Sequence, residues 1–336
     1  MNKSQRTITA LASLSVAVLG LSACSNSDAG DSGSDEKLNI AFVVGASADP
    51  FFLAMKLGAE EEAKALGVNL TFQGDATTYS PATQIPVVNQ VLATSPDGLA
   101  LVPTDPDALQ PAVDRAVASG IPVVNVDTSV NDLKDVTSFI TGDNADGGAK
   151  AADALAAAMD YEDGGTFQVV VGLSSATSTT NVARLDGFKK QIADKYPDIE
   201  IAATGYSQSN PATANTNVNN WLTAYPDLKG IFAIDGTNAD GASSALRAKG
   251  LAGRVALVGY DAYKTNVDLI GSGVITALIA QDPAEEGKLA VRYLVKAIKD
   301  GDKADIEKSV TLPNITLDKS TSAADLEKYT YVQSAN

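Results

Sequence analysis

The chain contains no histidine. That excludes Ser-His-Asp and Cys-His nucleophile systems, and it removes the commonest transition-metal ligand. Cysteine occurs once, at Cys24, so no disulfide can form within the chain. Cations are scarce. Lys and Arg number 25 against 41 Asp and Glu, a formal net charge of −16. Such an acidic chain disfavours nucleic acid and anionic membrane surfaces as partners. Acidic residues are plentiful, yet no Asp-x-Asp-x-Asp-Gly loop occurs. No metal and no cofactor are expected.

No apolar run is long enough for a comfortable transmembrane helix. The longest near the start, Ile8 to Leu19, follows Lys3 and Arg6 and precedes Leu21-Ser22-Ala23-Cys24. Met1 to Ala23 therefore reads as an export signal. Leu-Ser-Ala-Cys resembles the lipobox of bacterial lipoproteins, in which the cysteine becomes the lipidated first residue. Residues 24–37 then form a flexible tether, because Gly, Ser and Asp dominate and no apolar side chain larger than alanine is present to bury. The expected location is the periplasm or cell surface, anchored through Cys24.

From Leu38 about 300 residues remain, enough for two domains of ordinary size. Short Val/Ile/Leu-rich runs alternate with amphipathic stretches. Strands are expected over Leu38–Val44, Val68–Phe72, Gly98–Val102 and Pro122–Val126, then Phe167–Gly172, Ile199–Ala203, Gly230–Ile234, Val255–Val258 and Ile275–Ile279. Helices are expected over Pro50–Leu66, Pro81–Ala93 and Asp107–Ser119, then Ala145–Met159, Asn181–Lys195, Pro211–Tyr225, Asn238–Lys249 and Pro283–Lys299. Continuous apolar strands alternating with helices imply parallel sheets covered on both faces. The fold class is α/β, with doubly wound sheets. Trp221 reads as core.

The edges of those sheets carry the chemistry. Asp49, Asp127, Asp235 and Asp261 each stand just past an expected strand. Ligands bind at that edge in open α/β sheets. A single Asp there more often caps the next helix; four in equivalent places suggest a site, because carboxylates accept hydrogen bonds from hydroxyls. Asp49 also precedes Pro50, a residue suited to a first helical turn, and then Phe51 and Phe52. Arg184, in Asn181-Val182-Ala183-Arg184-Leu185-Asp186-Gly187-Phe188, is the one nearby cation in the motif set.

These motifs, with Ile121 to Asp127, Gly142-Asp143-Asn144, Leu222 to Asp227, Val258-Gly259-Tyr260-Asp261 and Ile279-Ala280-Gln281, resemble the ribose-binding-protein-like solute-binding proteins of ABC importers, the type I periplasmic binding fold. The resemblance runs from about Leu38 to Leu317. It implies two doubly wound lobes joined by a three-segment hinge, with a sugar trapped between them. Lobe 1 would be residues 38–142 plus 282–310. Lobe 2 would be 143–281 plus 311–317, and 318–336 would form a tail wrapped on the surface. The crossovers would fall near Gly142, Gln281–Pro283 and Val310. The family's sugar-contacting positions fall on Asp49, Phe52, Asp127, Arg184, Asp235, Asp261 and Gln281, with Phe51 as a second aromatic. Three positions depart from ribose binders: Asp49 and Asp235 stand where those carry Asn, and Thr128 where they carry a second Arg. The aromatic from lobe 2 aligns with Ser209, with Tyr206 as its nearby alternative.

The resemblance thus implies an extracytoplasmic binding protein, not an enzyme. It would trap a monosaccharide or sugar alcohol by hinge closure, deliver it to ABC permease subunits and act as a monomer. Many carboxylates and one cation disfavour a phosphate or carboxylate ligand; a neutral sugar or polyol, or an amino sugar, fits better. A receptor module that presents a sugar or sugar-derived signal to a sensor is the alternative. Glycoside hydrolysis by Asp127 and Asp261 is the enzymatic alternative. The export signal and the lack of a basic headpiece before Leu38 exclude a DNA-binding repressor.

Overall fold

The computed structural model of the protein describes residues 37–332. The expected signal, the lipidated Cys24 and the tether up to residue 36 lie outside the described residues. No helix among the described residues is long and apolar enough to cross a membrane.

The first half alternates strand and helix: β1 (Asn39–Ala46), α1 (Pro50–Leu66), β2 (Asn69–Asp75), α2 (Pro81–Ala93), β3 (Gly98–Leu101), α3 (Pro106–Ala118), β4 (Val123–Val126) and β5 (Ser138–Gly142). Its helix starts follow local chemistry. Asp49, Ser80 and Asp105 cap α1, α2 and α3 by accepting backbone N–H groups, and each is followed by Pro at the first turn. Gly67 closes α1 at φ 71°, a left-handed backbone that glycine adopts without a Cβ penalty.

The second half repeats the scheme. It comprises α4 (Asn144–Ala158), β6 (Phe167–Leu173), α5 (Thr179–Lys195), β7 (Ile199–Tyr206), α6 (Pro211–Ala224), β8 (Gly230–Ala233), α7 (Gly236–Ala248), β9 (Ala256–Tyr260), α8 (Lys264–Ile270) and β10 (Ala277–Ala280). The chain then returns through α9 (Pro283–Asp300), β11 (Ser309–Leu312), β12 (Ile315–Asp318) and α10 (Ala323–Tyr329).

Two six-stranded sheets result, ordered β11-β5-β4-β3-β1-β2 and β12-β10-β9-β8-β6-β7. The orders are equivalent strand for strand, so the lobes repeat one plan. All pairings are parallel except β12 on β10. That exception follows from the connection. β11 runs toward the cleft in the first sheet, and only Pro313 and Asn314 separate it from β12, which must run back out along the second. β11 pairs Leu312 with Gly142, and Asp143 N donates to Leu312 O at 2.8 Å. The chain therefore changes sheets after Leu312, not at Val310, and Thr311 and Leu312 belong to the first sheet.

Each lobe is sealed by a helix pair that crosses at small residues. A Cβ added at Gly58 on α1 would lie 2.0 Å from the Ala284 carbonyl oxygen of α9, and one at Gly187 on α5 would lie 2.1 Å from that of Ala145 on α4. Only glycine permits so close an approach. These contacts seat α1 and α5, whose N-terminal halves carry Phe51, Phe52 and Arg184. Trp221 is buried against Gly205 in lobe 2. Beyond β12 the tail forms α10 and then buries Tyr331 between Phe51 and Tyr263.

Gly187→Ala should destabilise the protein by roughly 1–3 kcal/mol, since a well-packed contact must open to admit the methyl group. Urea unfolding checks this; an unchanged midpoint would show that the α4–α5 crossing has slack.

Candidate functional site

The carboxyl ends of both sheets converge on one cavity of about 50 Å³. Lobe 1 contributes Asp49, Phe51 and Phe52 after β1, Tyr79 after β2 and Asp127 after β4. Lobe 2 contributes Ser174, Ser178, Thr180, Asn181 and Arg184 after β6, Ser209 after β7, Asp235 after β8, Asp261 and Tyr263 after β9, and Gln281 after β10.

The four carboxylates arrive in two ways. Asp49 and Asp235 cap α1 and α7 through Phe51 N at 2.9 Å and Asn238 N at 2.8 Å. Asp127 and Asp261 are not the N-cap residues of any described helix. They are equivalent residues of the repeated plan, each donating its N–H to the next strand, at Ile140 O and Ile279 O. Both adopt a left-handed backbone, at φ 59° and 68°. That conformation is uncommon outside glycine and turns each side chain into the cleft.

Arg184 is 3% exposed. Nε donates to Asn144 Oδ1 at 2.8 Å and Nη1 to Ile234 O at 3.0 Å, while Cζ sits 3.8 Å from the centre of the Tyr260 ring. Asn144 Nδ2 donates in turn to Thr141 Oγ1, and Thr141 Oγ1 to Asp127 O. One chain of bonds thus runs from the guanidinium through the β5–α4 crossover to the turn that presents Asp127. Asp261 Oδ1 accepts from Gln281 Nε2 at 2.7 Å and from Tyr331 OH at 3.2 Å, and Oδ2 accepts from Gly236 N at 3.1 Å.

The aromatic groups form a second system. Phe51 meets Phe52 edge-on at 79°, and Phe52 lies parallel to Tyr79, with centroids 6.3 Å apart. From lobe 2, Tyr263 OH donates to Asp49 Oδ1. Ser129 N donates to Thr179 Oγ1 at 3.1 Å, and Thr177 Oγ1 to Asp105 Oδ2 at 2.7 Å. These three bonds cross the cleft, so the lobes stand closed upon it.

Two expected residues are placed elsewhere. Thr128 donates its hydroxyl to Pro103 O at 2.7 Å and is buried inside lobe 1; the left-handed turn at Asp127 points the following side chain inward. Tyr206 ends the edge strand β7 with its side chain in solvent. Ser209 lines the cavity, and the aromatic from lobe 2 is Tyr263. Tyr79, Tyr263 and Tyr331 had no signal in the sequence. Asn181 had one: it lies three residues before Arg184 and so shares its helix face. Its Oδ1 accepts from Ser174 N at 2.9 Å, fixing the loop after β6.

A periplasmic binding protein domain model matches residues 40–303. The chain belongs to that family. It is 31% identical over 277 residues to the ribose import binding protein of Salmonella typhimurium, covering 82% of this chain and 90% of the relative. It is 28% identical to the D-allose-binding periplasmic protein of Escherichia coli, covering 80% and 87%. Among solved structures, an ABC transporter solute-binding protein of Agrobacterium vitis with bound α-D-tagatopyranose superposes with TM-score 0.82 at 30% identity, covering 88% of this chain and all of that one (100%). A carbohydrate transporter solute-binding protein of Agrobacterium radiobacter, in complex with D-arabinose, gives 0.82 at 27%, covering 88% and 99%. These relatives are binding components of transport systems rather than enzymes.

Electrostatics at the cavity are strained. Burial pushes the Asp127 carboxyl up to about 7; Arg184 opposes this and Asp261 adds to it. Burial likewise carries Asp49 to about 7, against the hydrogen bond from Tyr263. Asp261 is raised by burial, with Arg184 and Gln281 opposing. Each folded value lies above the unfolded one, so the folded state holds the extra protons and stability falls as pH rises between them. Without sugar, melting temperature should therefore rise as pH drops from about 8 to about 5, with a shallower slope in Asp127→Asn. Equal slopes in the two proteins would contradict the placement of this charge.

Proposed function

We propose that the protein is the extracytoplasmic binding component of an ABC importer, trapping a monosaccharide or sugar alcohol between its lobes and delivering it to permease subunits in the membrane. The observation that carries this reading is the cavity's lining. Buried acceptors, one guanidinium and four aromatic rings line it, drawn from both lobes at the carboxyl ends of their strands. The bound sugars of the related structures support it.

In this reading Phe52 packs on a C–H face of the ligand, held edge-on by Phe51. Asp49, Asp127, Asp235 and Asp261 accept hydroxyl protons. Arg184 donates from Nη2, which makes no hydrogen bond among the described residues. Gln281 holds the Asp261 carboxylate in place, and Ser209 adds a hydroxyl. Because contacts come from both lobes, ligand stabilises the closed arrangement over an open one. The closed pair then offers one composite surface to the permease. The protein acts as a monomer without a cofactor, and lipid on Cys24 tethers it to the outer face of the membrane.

A thermal-shift panel of pentoses, hexoses, alditols, amino sugars and sugar phosphates tests this. Ligand at 100 times its dissociation constant adds about 2.7 kcal/mol to stability. Arg184→Ala and Asp127→Ala should each weaken binding by about 1.5–3 kcal/mol, the range for hydrogen bonds to charged groups. A response only to sugar phosphates, or full binding in both variants, would contradict the assignment.

A further inference from the structure

The charged groups lining the cavity are Asp49, Asp127, Asp235, Asp261 and Arg184. Four carboxylates thus face one cation, and that cation does not pair with them. Among the described residues Arg184 comes within ion-pair distance of no carboxylate. Its Nε and Nη1 are spent on Asn144 and a backbone carbonyl, and its face lies on Tyr260.

The carboxylates differ in what they accept. Asp235 takes two local donors on Oδ1, from Thr237 and the Asn238 backbone, and one on Oδ2, from the Asn238 side chain. Asp261 has Gly236, Gln281 and Tyr331, and Asp49 has Phe51 and Tyr263. Asp127 accepts no hydrogen bond on Oδ1 among the described residues, although it is 6% exposed and lines the cavity. Glu286 on α9 adds to the imbalance. It is wholly buried, neither carboxyl oxygen has a partner among the described residues, and Asp127, Arg184, Asp282 and Asp261 are its charged neighbours. A buried carboxylate without a cation or a donor is costly. A hydroxyl brings a donor but no charge. An ammonium brings three donors and the missing charge together.

We propose that the ligand carries a protonated amine, so that the site reads an amino sugar or aminated polyol by seating its ammonium against Asp127. This rests on the sugar-binding reading above and narrows it. The remaining hydroxyls meet Asp49, Asp235, Asp261 and Arg184 as already described. Burial continues to lift the Asp127 carboxyl until the ammonium arrives, and the ion pair then holds it ionised.

The test is calorimetry on the whole protein near neutral pH, with glucosamine, galactosamine, mannosamine and amino alditols set against their neutral parents and their N-acetyl forms. An amine-bearing ligand should bind at least about tenfold more tightly than its own parent, the smaller end of what a charge-assisted bond supplies. The N-acetyl form, which keeps the nitrogen and loses the charge, should lose that advantage. Asp127→Asn should bring the amine-to-parent ratio down toward one. A parent sugar that binds as tightly as its amine overturns the inference and leaves the sugar-binding reading standing. A ratio unchanged in Asp127→Asn overturns the role of Asp127. No binding in either series overturns both readings.

Discussion

Four carboxylates enclosed with one guanidinium cost free energy unless water or a ligand compensates them, and the cleft is built around that cost. With the lobes apart, water would solvate all five groups. With the lobes together, as here, Asp49 leans on the Tyr263 hydroxyl of the opposite lobe and Asp261 on Gln281 and Tyr331, while Asp127 keeps an unpartnered oxygen. Closure therefore demands polar contacts that the protein alone does not complete. In the proposed function a polyhydroxylated ligand completes them, and closure then depends on cargo.

The repeated plan explains how one chain assembles such a place. Equivalent strands β4 and β9 end in equivalent left-handed turns, so each lobe sets one carboxylate at the same height on its sheet. The crossovers then bring the two edges face to face. Asn314, in the third crossover, ties the hinge together by donating to Asp143 O at 2.6 Å and to Tyr260 OH at 2.9 Å. Tyr260 in turn supports Arg184. Hinge and binding groups thus share members, and a change in one is felt by the other.

Much of this was legible in the sequence because it depends on local pattern. The parallel strands announce themselves as apolar runs, and a carboxylate just beyond such a run has few other places to be. That is why all four aspartates and Arg184 could be named from their neighbours in sequence. The short strands β5 and β11 gave no such run, and α8 and α10 are too brief for periodicity to speak. The tyrosines were hidden for another reason. Tyr331 reaches Asp261 from 70 residues away, and only the path of the tail decides that. Thr128 and Tyr206 illustrate the opposite failure. Their sequence positions are right, but a left-handed turn at Asp127 rotates one inward, and the end of an edge strand leaves the other in water.

In the proposed function, ligand is what brings the lobes together. Small-angle X-ray scattering of the protein, alone and saturated with a ligand that calorimetry shows to bind, tests it most directly. The radius of gyration should fall on saturation, and the saturated profile should match the closed arrangement described here. An identical profile with and without bound ligand would contradict this, because the cleft would then be preformed and closure would owe nothing to the cargo.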